Sequence, residues 1–134
     1  MYGREAGPAG AWFLGEDSGL EVDALGGAPG VQTARWAGGR HVERILEALA
    51  GEDDRRARYV CELVAIAPDG RELRGTGTLD GRIAEGPHGS AGFGFDPVFV
   101  PDGEERTVAE LGDAWKAANS HRAGAARALL PQLG

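Results

Sequence analysis

The sequence predicts an α/β fold, with a mixed sheet flanked by helices, in a single domain spanning residues 1–134. One observation behind this is a hairpin pattern. Arg58–Ala67 is apolar and rich in strand-forming residues, Pro68–Gly70 has turn residues, and Glu72–Leu79 returns as a second strand. The other is His41–Ala50, where apolar residues recur with the i, i+3, i+4, i+7 spacing of an amphipathic helix that ends at Gly51. Strands interleaved with helices are typical of layered α/β or α+β domains.

Two short extended segments are predicted before this helix. Ala11–Leu14 is expected to form a short buried strand, which runs into Glu16–Gly19, and Leu20–Asp23 is a second extended piece. The glycines and proline of Gly26–Gly30 predict a loop. Residues 1–10 are rich in Gly and Pro and are expected to be loose.

The segment after the hairpin predicts short strands around a glycine-rich loop. Ile83 is expected to begin another short strand. Pro87–Asp96 is the loop, and Pro97–Val100 is a strand that ends at a Pro-Asp-Gly turn.

Helices are predicted for the last part of the chain. Thr107 and Glu110 have the spacing of a capping box, which predicts a helical turn through Leu111. Asp113–Leu130 has a helical pattern, with a break expected near Ser120.

Composition excludes several function classes. The chain has 14 Lys and Arg against 21 Asp and Glu, a formal charge of −7, so no broad face for nucleic acid is expected. No 18-residue apolar run or secretory leader is present, so no membrane association is expected. The single cysteine, Cys61, makes no internal disulfide and is interpreted as a buried small hydrophobe. These features predict a cytoplasmic protein.

The first candidate functional motif is Glu16-Asp17-Ser18-Gly19, after an apolar strand. A carboxylate supplies the hard oxygen ligand that Mg²⁺ prefers, and a hydroxyl donates to phosphate. The alternative is a plain acidic turn.

The second is Gly92-Phe93-Gly94-Phe95-Asp96-Pro97. Glycines beside aromatic rings let the backbone pass close to a flat ligand on which a ring stacks, and Asp96 would fix a polar edge. The alternative is a tight turn whose two phenylalanines enter the core.

The third joins Lys116 to Ser120-His121-Arg122. Lys116 is the only lysine in a chain that otherwise uses arginine, and these cations would donate to phosphate or to a carbonyl-bearing base. The alternative is a solvated helix end with cations near its C-terminus.

Taken in order, these motifs resemble those of the inosine triphosphate pyrophosphatase (Ham1-like) family. Glu16–Leu25, Gly27–Val31 and Ala34–Gly38 resemble its central signature, and Gly92–Phe99 resembles its base-pocket loop. A last group resembles its C-terminal signature: Ala109-Glu110-Leu111, Lys116 and Ser120-His121-Arg122. The resemblance runs from about Leu14 to Leu130.

This resemblance implies a Mg²⁺-dependent enzyme, usually a homodimer, that cuts ITP, dITP and XTP into the monophosphate and pyrophosphate. It implies that Asp17 is the catalytic carboxylate, holding Mg²⁺ and accepting a proton from the attacking water. It implies that Ser18 touches phosphate or sugar and that Phe93 stacks on the base. The remaining substrate-binding residues would be Gly94, Phe95, Asp96, Lys116, His121 and Arg122, with His121 and Arg122 near the purine 6-position.

The sequence departs from the family upstream of Glu16. The family begins with a strand, a Thr/Ser-x-Asn-x-x-Lys loop that grips the triphosphate, and an acidic residue that shares the metal. Met1–Gly10 contains no Thr, Ser, Asn or Lys, so the fold is expected to be N-terminally truncated. Three hypotheses follow: a reduced but active pyrophosphatase, a nucleotide-binding relative without turnover that needs a partner chain, or a fragment of a longer enzyme.

Overall fold

The computed structural model describes residues 12–30 and 32–133, and five strands form one sheet in it. All neighbouring strands are antiparallel, in the spatial order β2-β1-β3-β4-β5. Their bounds are β1 Phe13–Val22, β2 Pro29–Gly30, β3 Arg56–Ile66, β4 Glu72–Ile83 and β5 Phe99–Pro101. The α/β class and the β3–β4 hairpin are confirmed, while the described part of the sheet is antiparallel throughout, not mixed. The predictions for residues 1–10 and for Ala11 lie outside the described residues.

β1 is one continuous strand, not the two extended pieces that were predicted. Its middle contains Glu16–Gly19, so this tetrapeptide does not follow a strand but lies within one. Gly19 does not break β1, because it is the point of closest approach to β2: a Cβ there would meet the carbonyl of Gly30. The Thr33 hydroxyl secures this approach by accepting from the Leu20 amide at 3.0 Å and donating to the Gly30 carbonyl.

β4 is longer than predicted, and Ile83 ends it instead of beginning a new strand. The glycines of β4 each allow a close contact. A Cβ at Gly81 would meet the carbonyl of Val100 in β5. Cβ atoms at Gly75 and Gly77 would meet the helix that follows Ser120. β5 begins at Phe99, later than the predicted strand, because residues 94–98 form turns.

Five α-helices lie within the described residues: α1 Thr33–Ala37, α2 His41–Ala48, α3 Val108–Leu111, α4 Asp113–Asn119 and α5 His121–Leu133. α2 confirms the predicted amphipathic helix, although it is shorter than predicted, and α1 was not predicted. The capping box is confirmed, since Thr107 accepts from the Glu110 amide and the Glu110 side chain accepts from the Thr107 amide. The break at Ser120 separates α4 from α5, as predicted. None of these helices is long and apolar enough to cross a membrane.

The apolar core lies on one face of the sheet. Cys61 is buried, as predicted. α5 packs directly on β3 and β4, because Gly75 and Gly77 leave room for the helix backbone. Beside α5, the core contains Leu20, Val22, Ile45, Leu49, Tyr59, Ile83, Phe95, Val98, Phe99 and Val108. This packing brings the start of α5, the 92–96 loop and the middle of β1 close together.

Candidate active site

A half-open cavity of about 310 Å³ lies where these three regions meet. Its walls include all of the residues predicted to bind substrate, namely Ser18, Phe93, Gly94, Phe95, Asp96, Lys116, His121 and Arg122. The structure therefore brings together three motifs that are far apart in the sequence. Asp17, the predicted catalytic and metal-binding residue, is not among the residues that line the cavity.

The position of Asp17 follows from the alternation of side chains along a strand. Successive residues of β1 point to opposite faces of the sheet. Glu16 and Ser18 face the cavity, so Asp17 faces the other side, where it lies opposite Glu62 of β3. The side chain of Asp17 is exposed, and none of the described residues hydrogen-bonds to it or pairs with it.

The 92–96 loop divides its two phenylalanines between core and cavity. Phe95 is 2% exposed and packs edge-on against His41, with ring centroids 4.9 Å apart. The ring of Phe93 lines the cavity and is 78% exposed to solvent. The sequence left open whether both rings enter the core, and only Phe95 does. An exposed aromatic face of this kind is available for stacking on a flat ligand.

Asp96 fixes the loop, because its buried carboxylate accepts three hydrogen bonds. The donors are the hydroxyl of Tyr59 at 3.3 Å, the backbone amide of Phe93 at 3.0 Å and the ammonium of Lys116 at 2.5 Å. Gly92 is required here, since it has φ +77° and a Cβ would meet the Asp96 carboxylate. Asp96 is 3% exposed. Its structural task is therefore to hold Lys116 and Phe93 in place.

Lys116 connects this anchor to the exposed ring. Its Nζ lies 3.8 Å from the centroid of the Phe93 ring while it pairs with Asp96. A cation held over an aromatic face is attracted to the ring quadrupole. Lys116 thus fixes one face of Phe93 and leaves a positive charge at the cavity wall.

His121 is held in its neutral form at the start of α5. Its ring stacks on the buried ring of Tyr59, with centroids 4.6 Å apart and an interplanar angle of 13°. Burial, and after it the charge of Lys116, lowers the pKa of His121 to about 4. Its Nδ1 is buried without a hydrogen-bond partner among the described residues. The imidazole therefore offers the cavity a neutral polar ring at pH 7.

Arg122 reaches across the cavity to β1. Its Nε lies 3.1 Å from Glu16 Oε1 in an ion pair, and the hydroxyl of Ser18 donates to Glu16 Oε2 at 3.2 Å. Ser120 ends α4 and caps α5, because its Oγ accepts from the Ala123 amide at 3.1 Å. The break in the helix is what turns the side chains of α5 toward β1.

Sequence reasoning missed Glu16, Tyr59 and His41 as parts of the site. Glu16 was not named as a site residue because the family resemblance assigns the catalytic role to its neighbour Asp17. Strand alternation shows that only one of the two side chains faces the cavity. Tyr59 lies within an apolar strand, where nothing in the sequence marks its hydroxyl. His41 is predicted only as the start of a helix, yet it lines the cavity and contacts Phe95.

Metal binding has a limited basis in the described residues. No group of three or more His, Cys, Asp or Glu there is arranged to hold an ion. Mg²⁺, however, is commonly bound by one or two carboxylates together with substrate phosphates and water. Asp17 fits that requirement as a single exposed carboxylate, whereas Glu16 is engaged by Arg122 and Ser18.

The cavity has the features of a protein class whose sites suit flat, polar ligands. An exposed ring is fixed by a cation, and donors surround it. Comparison with known proteins places the chain in one family: the Ham1 family model matches residues 3–132, and the chain belongs to the Ham1 family. The resemblance of its motifs to this family is thereby confirmed.

Individual relatives agree with this placement. The dITP/XTP pyrophosphatase of Rhodospirillum centenum is 51% identical over 125 residues, which cover 87% of this chain and 62% of the relative. That of Bdellovibrio bacteriovorus is 43% identical over 129 residues, covering 91% and 65%. The Ham1 protein of Staphylococcus aureus matches in structure with a TM-score of 0.85 and 38% identity, covering 92% and 67%. The chain thus spans less than two thirds of the length of these two curated relatives.

Proposed function

We propose that this chain is a nucleoside-triphosphate pyrophosphohydrolase acting on deaminated purine nucleotides. Its substrates would be ITP, dITP and XTP, and its products the monophosphate and pyrophosphate. The observation that carries the proposal is the cavity beside the exposed ring of Phe93, which Lys116 fixes and Arg122 and His121 flank. The names of the two pyrophosphatase relatives support it further.

Base recognition follows from the chemistry of the cavity wall. A purine ring stacks on Phe93, an interaction that every base can make. The 6-oxo group of hypoxanthine or xanthine accepts hydrogen bonds, whereas the 6-amino group of adenine donates them. The guanidinium of Arg122 has only donors and no acceptor. The cavity therefore favours the oxo base, because an amino group would face another donor.

The phosphates would be bound near the middle of β1. Only Leu20 and Glu21 of β1 pair with β2, so among the described residues the first part of β1 is a sheet edge. Ser18 and Asp17 lie on the two faces of this edge. We infer that Ser18 donates to phosphate or sugar and that Asp17 accepts the proton of the attacking water. When bound, Mg²⁺ would neutralise phosphate charge and lower the pKa of a bound water, and Asp17 is the residue that would hold it.

The remaining features of the proposal concern location and assembly. A cytoplasmic location is supported by the single, buried Cys61, which is typical of a reducing compartment. A homodimer is the expected assembly of this family. Nucleic acid is not expected as a partner, since the formal charge of the chain is −7.

Pyrophosphate release from dITP and XTP tests the proposal directly. The purified chain is incubated with dITP, XTP, dATP or dGTP, first with Mg²⁺ and then with EDTA. We expect release that requires Mg²⁺ and is faster with dITP or XTP than with dATP by more than about tenfold, the ratio that one discriminating hydrogen bond supports. Absence of release with every substrate, or equal rates for dITP and dATP, would contradict the proposal.

A further inference from the structure

Arg122 occupies a position that is electrostatically unfavourable for a cation. It lies in the first turn of α5, a helix of 13 residues, where the helix dipole favours negative charge. Lys116, a second cation, lines the same cavity. The side chain of Arg122 is 70% exposed, so packing does not hold it in place. An anion beside the guanidinium would offset this cost and give the side chain a direction.

Glu16 is that anion, and each of its two carboxylate oxygens has a different partner. Oε1 forms an ion pair with Arg122, 3.1 Å from its Nε, and Oε2 accepts from the Ser18 hydroxyl at 3.2 Å. Because Glu16 and Ser18 are two residues apart in β1, they share the cavity face of the strand. Among the described residues, neither terminal nitrogen of the Arg122 guanidinium makes a hydrogen bond, so both can donate to a ligand.

We propose that Glu16 is a positioning residue that sets the purine selectivity of the cavity through Arg122. Glu16 holds the guanidinium so that its free donors face the purine 6-position. Arg122 and Ser18 in turn occupy the Glu16 carboxylate, which would otherwise accept from the 6-amino group of adenine. The pair therefore favours an oxo base in two ways. Arg122 presents a donor to the 6-oxo group, and the Glu16 acceptor that a 6-amino group would use is covered.

This inference rests on the proposed function, since it assumes that the cavity receives a purine base. It concerns only the base and not the phosphates. Binding of the monophosphates IMP and AMP in EDTA therefore tests it without turnover. The quantity to measure is the ratio of the AMP Kd to the IMP Kd, from NMR titrations that resolve weak binding.

Four proteins form the test: the unaltered chain, Glu16→Gln, Arg122→Ala and the double variant. Glu16→Gln keeps the shape of the side chain and removes its charge. We expect it to lower the ratio about threefold to fivefold, as expected for a partly exposed ion pair. Arg122→Ala should lower the ratio further, because it removes the donor and uncovers the carboxylate. In the double variant, the ratio should be higher than in Arg122→Ala alone, because Glu16→Gln removes the uncovered carboxylate.

A second ion pair on β1 provides the matched control. Glu21 pairs with Arg58 through the same atoms and at the same distance, Nε to Oε1 at 3.1 Å, but on the opposite face of the strand. Glu21→Gln and Arg58→Ala should leave the Kd ratio unchanged. Thermal unfolding of all variants shows whether a change in the ratio follows a loss of folded protein.

Two different results separate the failure of this inference from failure of the proposed function. If the unaltered chain does not prefer IMP to AMP, the base-reading part of the proposed function is wrong, and the inference falls with it. If the unaltered chain prefers IMP but Glu16→Gln leaves the ratio unchanged, only the inference is overturned. The same holds if Glu16→Gln lowers the ratio by an equal factor with and without Arg122, since the two residues would then act independently.

Discussion

The two faces of β1 differ in how much of the candidate site the described residues provide. On the cavity face, Glu16 is linked to Ser18 and Arg122, and the neighbouring loop is pinned by the buried Asp96. On the opposite face, Asp17 is exposed and has no polar partner among the described residues, while Glu62 across from it pairs with Arg74. Under the proposed function, base recognition would thus be preorganised by the fold, whereas hydrolysis would depend on groups that arrive with the metal and the phosphates.

The largest expected effect comes from Asp17→Asn, which tests the face of β1 opposite the cavity. If Asp17 is the proton acceptor, pyrophosphate release from dITP should fall by about 10²–10⁴-fold, the usual contribution of a general base. The IMP Kd should stay the same, because the carboxylate does not line the cavity. Rates of pyrophosphate release and an NMR titration with IMP measure the two effects separately.

Asp80→Asn is the matched control for this variant. Asp80 is also an exposed aspartate, and its register opposite Arg58, which pairs with Glu21, places it on the same face of the sheet as Asp17. Its replacement should leave turnover unaltered. Unaltered turnover in Asp17→Asn would refute the role given to Asp17. An equal loss of turnover in Asp17→Asn and Asp80→Asn would also refute it, because the loss would then follow from the change of charge alone.

A smaller effect is expected from Phe93→Ala, which tests the cavity side of the comparison. Loss of the stacking surface should weaken IMP and AMP about equally, by about 10-fold to 100-fold, because stacking does not distinguish bases. Since Phe93 is 78% exposed, the melting temperature should hardly change. Leu130→Ala, at another exposed apolar side chain of the same chain, serves as the control. Unchanged nucleotide affinity in Phe93→Ala would show that the base does not stack there.

The sequence predicted the elements whose signals are local. The β3–β4 hairpin, the α2 helix, the Thr107–Glu110 capping box and the break at Ser120 each depend on residues close together in the chain. The prediction divided β1 into two pieces and ended β4 at Leu79, and glycine in a strand usually weakens it. Here Gly19 and Gly81 are instead points where another backbone comes too close for a Cβ.

The contacts that organise the cavity could not be predicted from local patterns. The hydroxyl of Tyr59 meets Asp96 across 37 residues of sequence, and Glu16 meets Arg122 across a still longer separation. Such pairs become visible only once the register of β1 against β3 and the packing of α5 on the Gly75 and Gly77 positions are known. The family resemblance brought the correct motifs together, but it did not indicate which face of β1 each carboxylate occupies.

Mapping the IMP site by amide chemical shifts is the most direct test of the central claim, that this cavity receives the purine base. The isotope-labelled chain is titrated with IMP in EDTA, so that neither metal nor turnover contributes. We expect the largest shifts at the amides of Phe93–Asp96 and Lys116–Arg122, the segments that form the cavity wall. Largest shifts in residues away from the cavity, or no shifts at saturating IMP, would contradict the claim.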